Sequence, residues 1–275
     1  AIALAAGYHL ATRKLPLVYM QNSGLGNAVN PLLSLCDPDV YSIPMILLIG
    51  WRGEPGIQDE PQHIKQGKVQ LDLLQTIDIP YEIISKKDVN IKKKIYNSIN
   101  NAKKGNHPFA IIVKKGSFDT YKSSSITKND KLMTRENSLE IILNNLPENS
   151  IIVSTTGKTS REIFEIRERE GQSHQQDFLT VGSMGHCSSI ALGIAIAKPE
   201  RKIICIDGDG ALIMHMGSLS TVGKLKPKNF YHILLNNLVH ESVGGQETAA
   251  KYLTIPKLAK SNGYTHVYSE NQRGM

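Results

Sequence analysis

Two strand ends in the second half of the chain carry oxygen atoms suited to a hard cation. Ile203 to Asp207 reads as a buried strand that runs into Gly208-Asp209-Gly210-Ala211. Further on, the apolar run Ile233-Leu234-Leu235 ends in Asn236-Asn237. A carboxylate at one strand end and an amide oxygen at a nearby one supply two ligands. Mg2+ takes the rest of its about six oxygens from water and phosphate. Gly208 and Gly210 leave backbone N–H groups open to a diphosphate, with no Cβ in the way. Gly-Asp-Gly by itself is also a plain turn, and Asp209 also suits a helix N-cap. The pairing with a strand that ends in Asn-Asn is what makes the pattern specific.

Two other glycine-rich turns invite phosphate readings. The run Ile151 to Thr159 takes a strand into Gly157-Lys158-Thr159. A P-loop needs a second glycine five positions before Gly157, and Ile152 stands there, so that reading fails. What remains is a polar turn at the carboxyl end of a strand, where α/β sheets bind ligands. The run Asn22 to Val29 has two glycines of a dinucleotide fingerprint and Val29 in place of the third. A capped turn led by Ser23 explains it as well.

The elements that must position these turns alternate along the chain. Strands are expected at Leu17–Gln21, Met45–Gly50, Tyr81–Ser85, Phe109–Lys114, Ile151–Ser154, Phe178–Val181, Lys202–Asp207, Tyr231–Asn236 and Thr265–Tyr268. Helical patterns lie between them, at Asn27–Cys36, His63–Thr76, Val89–Lys103, Arg135–Asn145, Ser160–Glu170, Ser188–Ala197 and Leu212–Lys224. Continuous apolar strands alternating with helices predict an α/β protein built on doubly wound parallel sheets. The alternation breaks at the polar stretch from Lys115 to Lys131. This gives a first domain over 1–115, a linker over 116–133 and a second domain over 134–275.

The chain has 275 residues, 40% hydrophobic and 21% charged, which is globular composition. Its longest apolar run, Pro44 to Ile49, is far short of the about 20 residues a membrane helix needs. The net charge is +7, yet twelve lysines and three acids lie between Lys86 and Lys131. The excess is therefore one segment, and the remainder is slightly acidic. No nucleic-acid recognition pattern accompanies it, so it reads as a solvated helix face plus a linker. Three widely spaced cysteines with no Cys-x-x-Cys pair suit a reduced, cytoplasmic setting.

Gly-Asp-Gly followed by Asn-Asn resembles the thiamine diphosphate motif. Val181-Gly182-Ser183-Met184-Gly185 resembles the turn that holds a bulky apolar residue under that cofactor, and Thr155-Thr156-Gly157 the turn that meets its pyrimidine side and the substrate. The chain is similar to the thiamine diphosphate-dependent decarboxylases, first to phosphonopyruvate decarboxylases and next to sulfopyruvate decarboxylases. The segments that carry the likeness are Ala1–Thr12, Met20–Pro31, Gly50–Gly67, Ser154–Phe164, Thr180–Ala191 and Asn236–Gln246. It implies a pyrimidine-binding (PYR) first domain and a diphosphate-binding (PP) second domain.

The resemblance implies decarboxylation of a 2-oxo acid, 3-phosphonopyruvate, to phosphonoacetaldehyde and CO2, with the cofactor accepting the electrons. Sulfopyruvate, another 2-oxo acid, or a non-catalytic homologue are the alternatives. Asp209, Asn237 and the carbonyl of Val239 would hold Mg2+. Gly157, Ser183, Met184, Gly208, Gly210 and Ala211 would meet the cofactor. His63 and His240 would relay protons, a task that suits an imidazole titrating near neutrality. His63 is also readable as a surface helix-start residue, and His240 as an ordinary turn histidine. An anionic substrate needs cations, and Arg52 and Lys158 come first, with Asn27 and Thr156 beside them. Arg161 flanks the Thr156-Gly157 turn with Lys158, Lys65 and Lys68 are weaker candidates, and Asn22 and Asn27 either touch substrate or cap their turn. The family's cofactor-activating Glu would fall three residues before Ala1, and its PP domain would run past Met275. The piece alone is therefore expected to be inactive. The resemblance also implies a homodimer or larger homo-oligomer, and neither a nucleic-acid nor a membrane partner.

Overall fold

A computed structural model describes residues 1–119 and 133–270. The chain divides into two compact units, Ala1–Lys122 and Ser123–Met275. Most of the expected linker, residues 120–132, lies outside the described residues.

The first unit runs α1 (Ile2–Thr12), β1 (Leu17–Gln21), α2 (Leu25–Pro31), β2 (Ile46–Gly50), α3 (Pro61–Thr76), β3 (Tyr81–Ile84), α4 (Ile91–Gly105) and β4 (Phe109–Val113). A π-helical turn, Leu32–Cys36, extends α2. The four strands pair in parallel, in the order β1-β2-β4-β3. Successive side chains leave opposite faces of a strand. Leu47, Ile49, Ala110 and Ile112 therefore join the core under α1 and α2, while Ile46, Phe109, Ile111 and Val113 join the core under α4. Burial on both faces is why the inner strands β2 and β4 carry no polar side chain. Each fully buried Leu or Ile contributes about 1.5–3 kcal/mol by leaving water. The lysines of α4 are mostly exposed, with Lys94 paired to Glu82 and Asp88.

The second unit runs α5 (Arg135–Asn144), β5 (Ile151–Ser154), α6 (Lys158–Arg169), β6 (Asp177–Leu179), α7 (Cys187–Ala197), β7 (Ile203–Gly208), α8 (Asp209–Met214), α9 (Ser218–Leu225), β8 (Phe230–Leu235), the short pair β9 (Val239–His240) and β10 (Gln246–Glu247), and α10 (Ile255–Ser261). The main sheet is parallel in the order β6-β5-β7-β8, and β9 and β10 form an antiparallel pair. Ile204 and Ile206 pack with α5 and α6, and Ile203 and Cys205 pack with α7.

Two expectations are corrected. The pattern over Leu212–Lys224 is two helices, because the backbone leaves helical geometry at His215 (φ −131°, ψ 46°) and turns through Gly217 before α9 starts at Ser218. Thr265–Tyr268 is not a strand: among the described residues nothing pairs with it, and β8 stays the edge of the sheet, so its backbone has no ladder to join. Among the described residues no helix is long and apolar enough to cross a membrane.

Candidate active site

In the second unit, three turns after strands meet at the carboxyl edge of the sheet. The order β6-β5-β7-β8 puts β5 beside β7 and β7 beside β8. Gly208, the last residue of β7, stands opposite Leu235, the last of β8. Adjacency of those two strand ends brings the Asp209 turn and the Asn236-Asn237 turn to one edge.

Gly157 sits at φ +95°, a conformation that side chains rarely adopt, and a Cβ there would lie 2.7 Å from Ser242 Oγ. The turn after β5 thus packs on the loop after β9. Gly185, at φ +87° in the turn after β6, packs on the Asp209 turn, where a Cβ would lie 2.8 Å from the Ala211 carbonyl. A Cβ on Gly210 would lie 2.5 Å from the His240 ring and 3.3 Å from the Thr248 methyl. All three glycines are therefore needed for close approach, and the contacts draw Thr156, Gly157, Gly210, Ala211 and His240 into one neighbourhood. Ser183, at φ +53°, is exposed, and its carbonyl accepts from His186 N and lies 3.0 Å from His186 Nδ1. Met184 is half-buried beside it.

Asp209 is 3% exposed and accepts a hydrogen bond from the Thr248 hydroxyl at 2.5 Å. Thr248 N also donates to the Leu238 carbonyl at 2.8 Å, so Thr248 ties the Asp209 turn to the loop that holds Asn237. A carboxylate this deep with a neutral hydroxyl as partner suits a cation, because burying an uncompensated charge is costly. Thr155 Oγ1, at the end of β5, is buried with no hydrogen-bond partner. Among the described residues no three acidic, His or Cys side chains are grouped to hold a metal. The Asn237 amide is turned into its own loop, its oxygen accepting from Val239 N at 3.2 Å and its nitrogen donating to Glu241 at 3.3 Å.

Several expected binding groups already have partners. Gly208 N–H donates to Asp207 Oδ1 at 2.8 Å, so it is not open to a diphosphate; Gly210 and Ala211 remain. Lys158 Nζ donates to Glu241 Oε1 at 2.8 Å. Glu241 also accepts from Arg135, which in turn holds Glu162. Lys158 first and Arg135 next hold the Glu241 carboxyl below its usual range. The sequence flagged Lys158 but not its counter-charge, because a glutamate 83 positions away carries no local signal.

In the first unit, Arg52 follows β2 and forms a bidentate pair with Asp59. The Arg52 hydrogen bonds hold the Asp59 carboxyl well below the carboxylate range, helped by Gly53 N and Glu60 N. The guanidinium expected to meet substrate is thus neutralised within its own loop. Asn22, read as a substrate contact or a cap, is buried and caps no helix: its side chain pairs with the Arg52 backbone, donating to its carbonyl at 2.7 Å and accepting from its N–H at 3.2 Å. His63 is 9% exposed at the start of α3, with Nδ1 unpartnered. Burial, and then the Arg52 charge, push its pKa down, which favours a neutral imidazole. The Gly53 backbone lies against His63, so Arg52 and His63 share one corner. A cavity of about 500 Å3 opens there, between Gly53–Asp59 and Ile64 and Lys68 of α3. Asn27 lies on an exposed face of α2.

The family described as "Thiamine pyrophosphate enzyme, C-terminal TPP binding domain" matches residues 155–270. That span contains all three converging turns. A phosphonopyruvate decarboxylase of Streptomyces viridochromogenes is 34% identical over 98% of this chain and 69% of its own length. A sulfopyruvate decarboxylase of Methanosarcina acetivorans is 27% identical over 99% of this chain and 73% of its own. A sulfopyruvate decarboxylase subunit beta of Methanocaldococcus jannaschii is 39% identical over 47% of this chain and 66% of its own. With one-third identity running through nearly the whole sequence, and the cofactor-domain match lying over the turns that the fold gathers, the chain belongs to the phosphonopyruvate decarboxylase family of thiamine diphosphate enzymes.

Proposed function

We propose that this chain decarboxylates 3-phosphonopyruvate to phosphonoacetaldehyde and CO2, using thiamine diphosphate and Mg2+. The observation that carries the reading is the close packing of Gly185 on Ala211 and of Gly210 on His240 and Thr248, beside a buried Asp209 that the Thr248 hydroxyl holds. The full-length identity to a phosphonopyruvate decarboxylase, 34% against 27% to a sulfopyruvate decarboxylase, supports the phosphonate over the sulfonate.

When bound, thiamine diphosphate supplies the carbon nucleophile and the electron sink for loss of CO2. Asp209, the Asn237 oxygen and the Val239 carbonyl hold Mg2+, once the Asn237 amide turns from its own loop. Backbone N–H groups of Gly210 and Ala211 bind diphosphate oxygens, and the orphaned Thr155 hydroxyl adds a donor. Gly157, Ser183 and Met184 line the rest of the cofactor site. Each unit offers its own groups to substrate anions: Arg52, by exchanging Asp59, and Asn27 in the first, and Lys158, by exchanging Glu241, and Thr156 in the second. His240, against Gly210, and His63, held neutral, are the proton carriers. The working form is a homo-oligomer; a relative named as a subunit supports assembly.

The test is kinetic and uses the full-length protein. Turnover is measured on phosphonopyruvate, sulfopyruvate and pyruvate, and a kcat/KM for phosphonopyruvate at least tenfold above the others is expected. Equal values with pyruvate sink the phosphonate assignment. In parallel, Mg2+ with thiamine diphosphate at about 100 Kd is expected to stabilise the protein by about 2.7 kcal/mol. Loss of that shift in Asp209→Ala is expected; a shift that survives it counts against the site.

A further inference from the structure

We propose that Asp207, His232 and Tyr264 form a buried positioning chain that holds the Gly208–Asp209 turn and so sets the affinity for metal and diphosphate. It rests on the reading that this turn holds them.

Asp207 is fully buried in β7, on the apolar face that carries Ile203 and Cys205. An ionised side chain in such a place is retained only with partners. Its Oδ1 accepts the Gly208 N–H at 2.8 Å, and its Oδ2 lies 3.3 Å from His232 Nε2. The register sets His232 beside Cys205, so its ring reaches Asp207 diagonally between neighbouring strands. A carboxylate only accepts, so Nε2 carries a proton, and Nδ1 on the other side of the ring lies 3.0 Å from the Tyr264 hydroxyl oxygen. Burial pushes the Tyr264 pKa up, so the hydroxyl stays protonated.

The far end is anchored as well. Tyr264 N donates to the Ala259 carbonyl of α10 at 3.1 Å. Its neighbour Gly263, at φ +98°, lies against the backbone of Gly223 in α9, where a Cβ would lie 2.9 Å from the Gly223 carbonyl. The chain therefore links two helices to the one backbone N–H that precedes Asp209. By taking that N–H, Asp207 ends the β7 strand at Gly208 and sets the direction in which Asp209 leaves the sheet. None of the three side chains is exposed to reach a substrate, so each acts through the turn.

The experiment compares Asp207→Ala, Asp207→Asn, Tyr264→Phe and Ile203→Val in the full-length protein. Ile203 shares the same face and serves as a packing control. Calorimetry gives the Kd for thiamine diphosphate in saturating Mg2+, and urea unfolding of the cofactor-free protein gives stability. Asp207→Ala is expected to raise Kd at least tenfold. Asp207→Asn keeps an acceptor for Gly208 N–H and is expected within threefold of wild type. Tyr264→Phe is expected to raise Kd about threefold, and Ile203→Val to lower stability with Kd unchanged. If Asp207→Ala does not fold, Tyr264→Phe and Asp207→Asn decide. The proposal is overturned if Tyr264→Phe leaves Kd unchanged, or if Asp207→Ala and Ile203→Val move it equally. A wild type that does not bind the cofactor, or binding untouched in Asp209→Ala, overturns the underlying reading as well.

Discussion

Replacing Asp59 with Asn probes the loop that carries Arg52 and leads to His63. The Asp59 side chain is 7% exposed, and each of its oxygens accepts one guanidinium N–H and one backbone N–H. Oδ1 takes Arg52 and Glu60, and Oδ2 takes Arg52 and Gly53. An amide keeps one oxygen. Whichever way it sits, one backbone N–H and one guanidinium N–H then face an NH2 group. Losing a hydrogen bond to a charged acceptor costs about 1.5–3 kcal/mol. Arg52 is 39% exposed, so its ionic share is held to the surface range of about 0–1 kcal/mol. The expected loss is about 2–4 kcal/mol. Trp51, the one tryptophan in the chain, is buried next to Arg52 and donates through Nε1 to the Gly67 carbonyl at 3.0 Å. Its fluorescence therefore reports unfolding of the first unit. At a urea slope of about 2 kcal/mol per M, the midpoint should fall by about 1–2 M. The pH dependence has a definite sign. The folded carboxyl titrates below its unfolded value of about 3.9, so its contribution is full above that value. It is lost only as pH falls through the depressed folded value. The gap between wild type and D59N should stay constant from pH 8 to about pH 5 and close in stronger acid. Coincident melts at pH 7 would refute the reasoning.

Two further outcomes concern the second unit. Gly157→Ala places a side chain at φ +95° and a methyl 2.7 Å from Ser242 Oγ. It should cost that unit about 1–3 kcal/mol in a denaturant melt followed by circular dichroism, and unaltered stability would rule out that backbone conformation. Glu241→Gln releases Lys158 from its counter-charge while Arg135 keeps Glu162. The KM for a dianionic substrate should fall two- to fivefold at low salt, less so at high salt, an order-of-magnitude expectation from charge screening. An unchanged KM would remove Lys158 from the substrate site.

The local order of this protein is written in its sequence. Eight of the expected strands are present, and the inner ones β2, β4 and β5 are the most conspicuous, because a parallel strand covered on both faces is almost wholly apolar. Gly157, Gly185 and Gly210 stand out for a related reason: close approach and left-handed backbone leave a residue type as their mark. The turn at His215 between α8 and α9 leaves no such mark, since the backbone departs from the helix at a residue type that a helix also accepts. What the sequence could not supply is pairing at a distance. Arg52 reads as a free cation until Asp59 folds back on it, and Lys158 until Glu241 arrives with the β9 loop. Gly208 reads as an open phosphate donor until its N–H is seen to belong to Asp207. Asp207 itself passes for one more strand residue, and only the register of β7 against β8 brings His232 to it. Residue type and spacing determine which groups are able to bind a charge. Which of them are already satisfied depends on contacts between segments far apart in the chain, and those exist only once the sheet has ordered its strands.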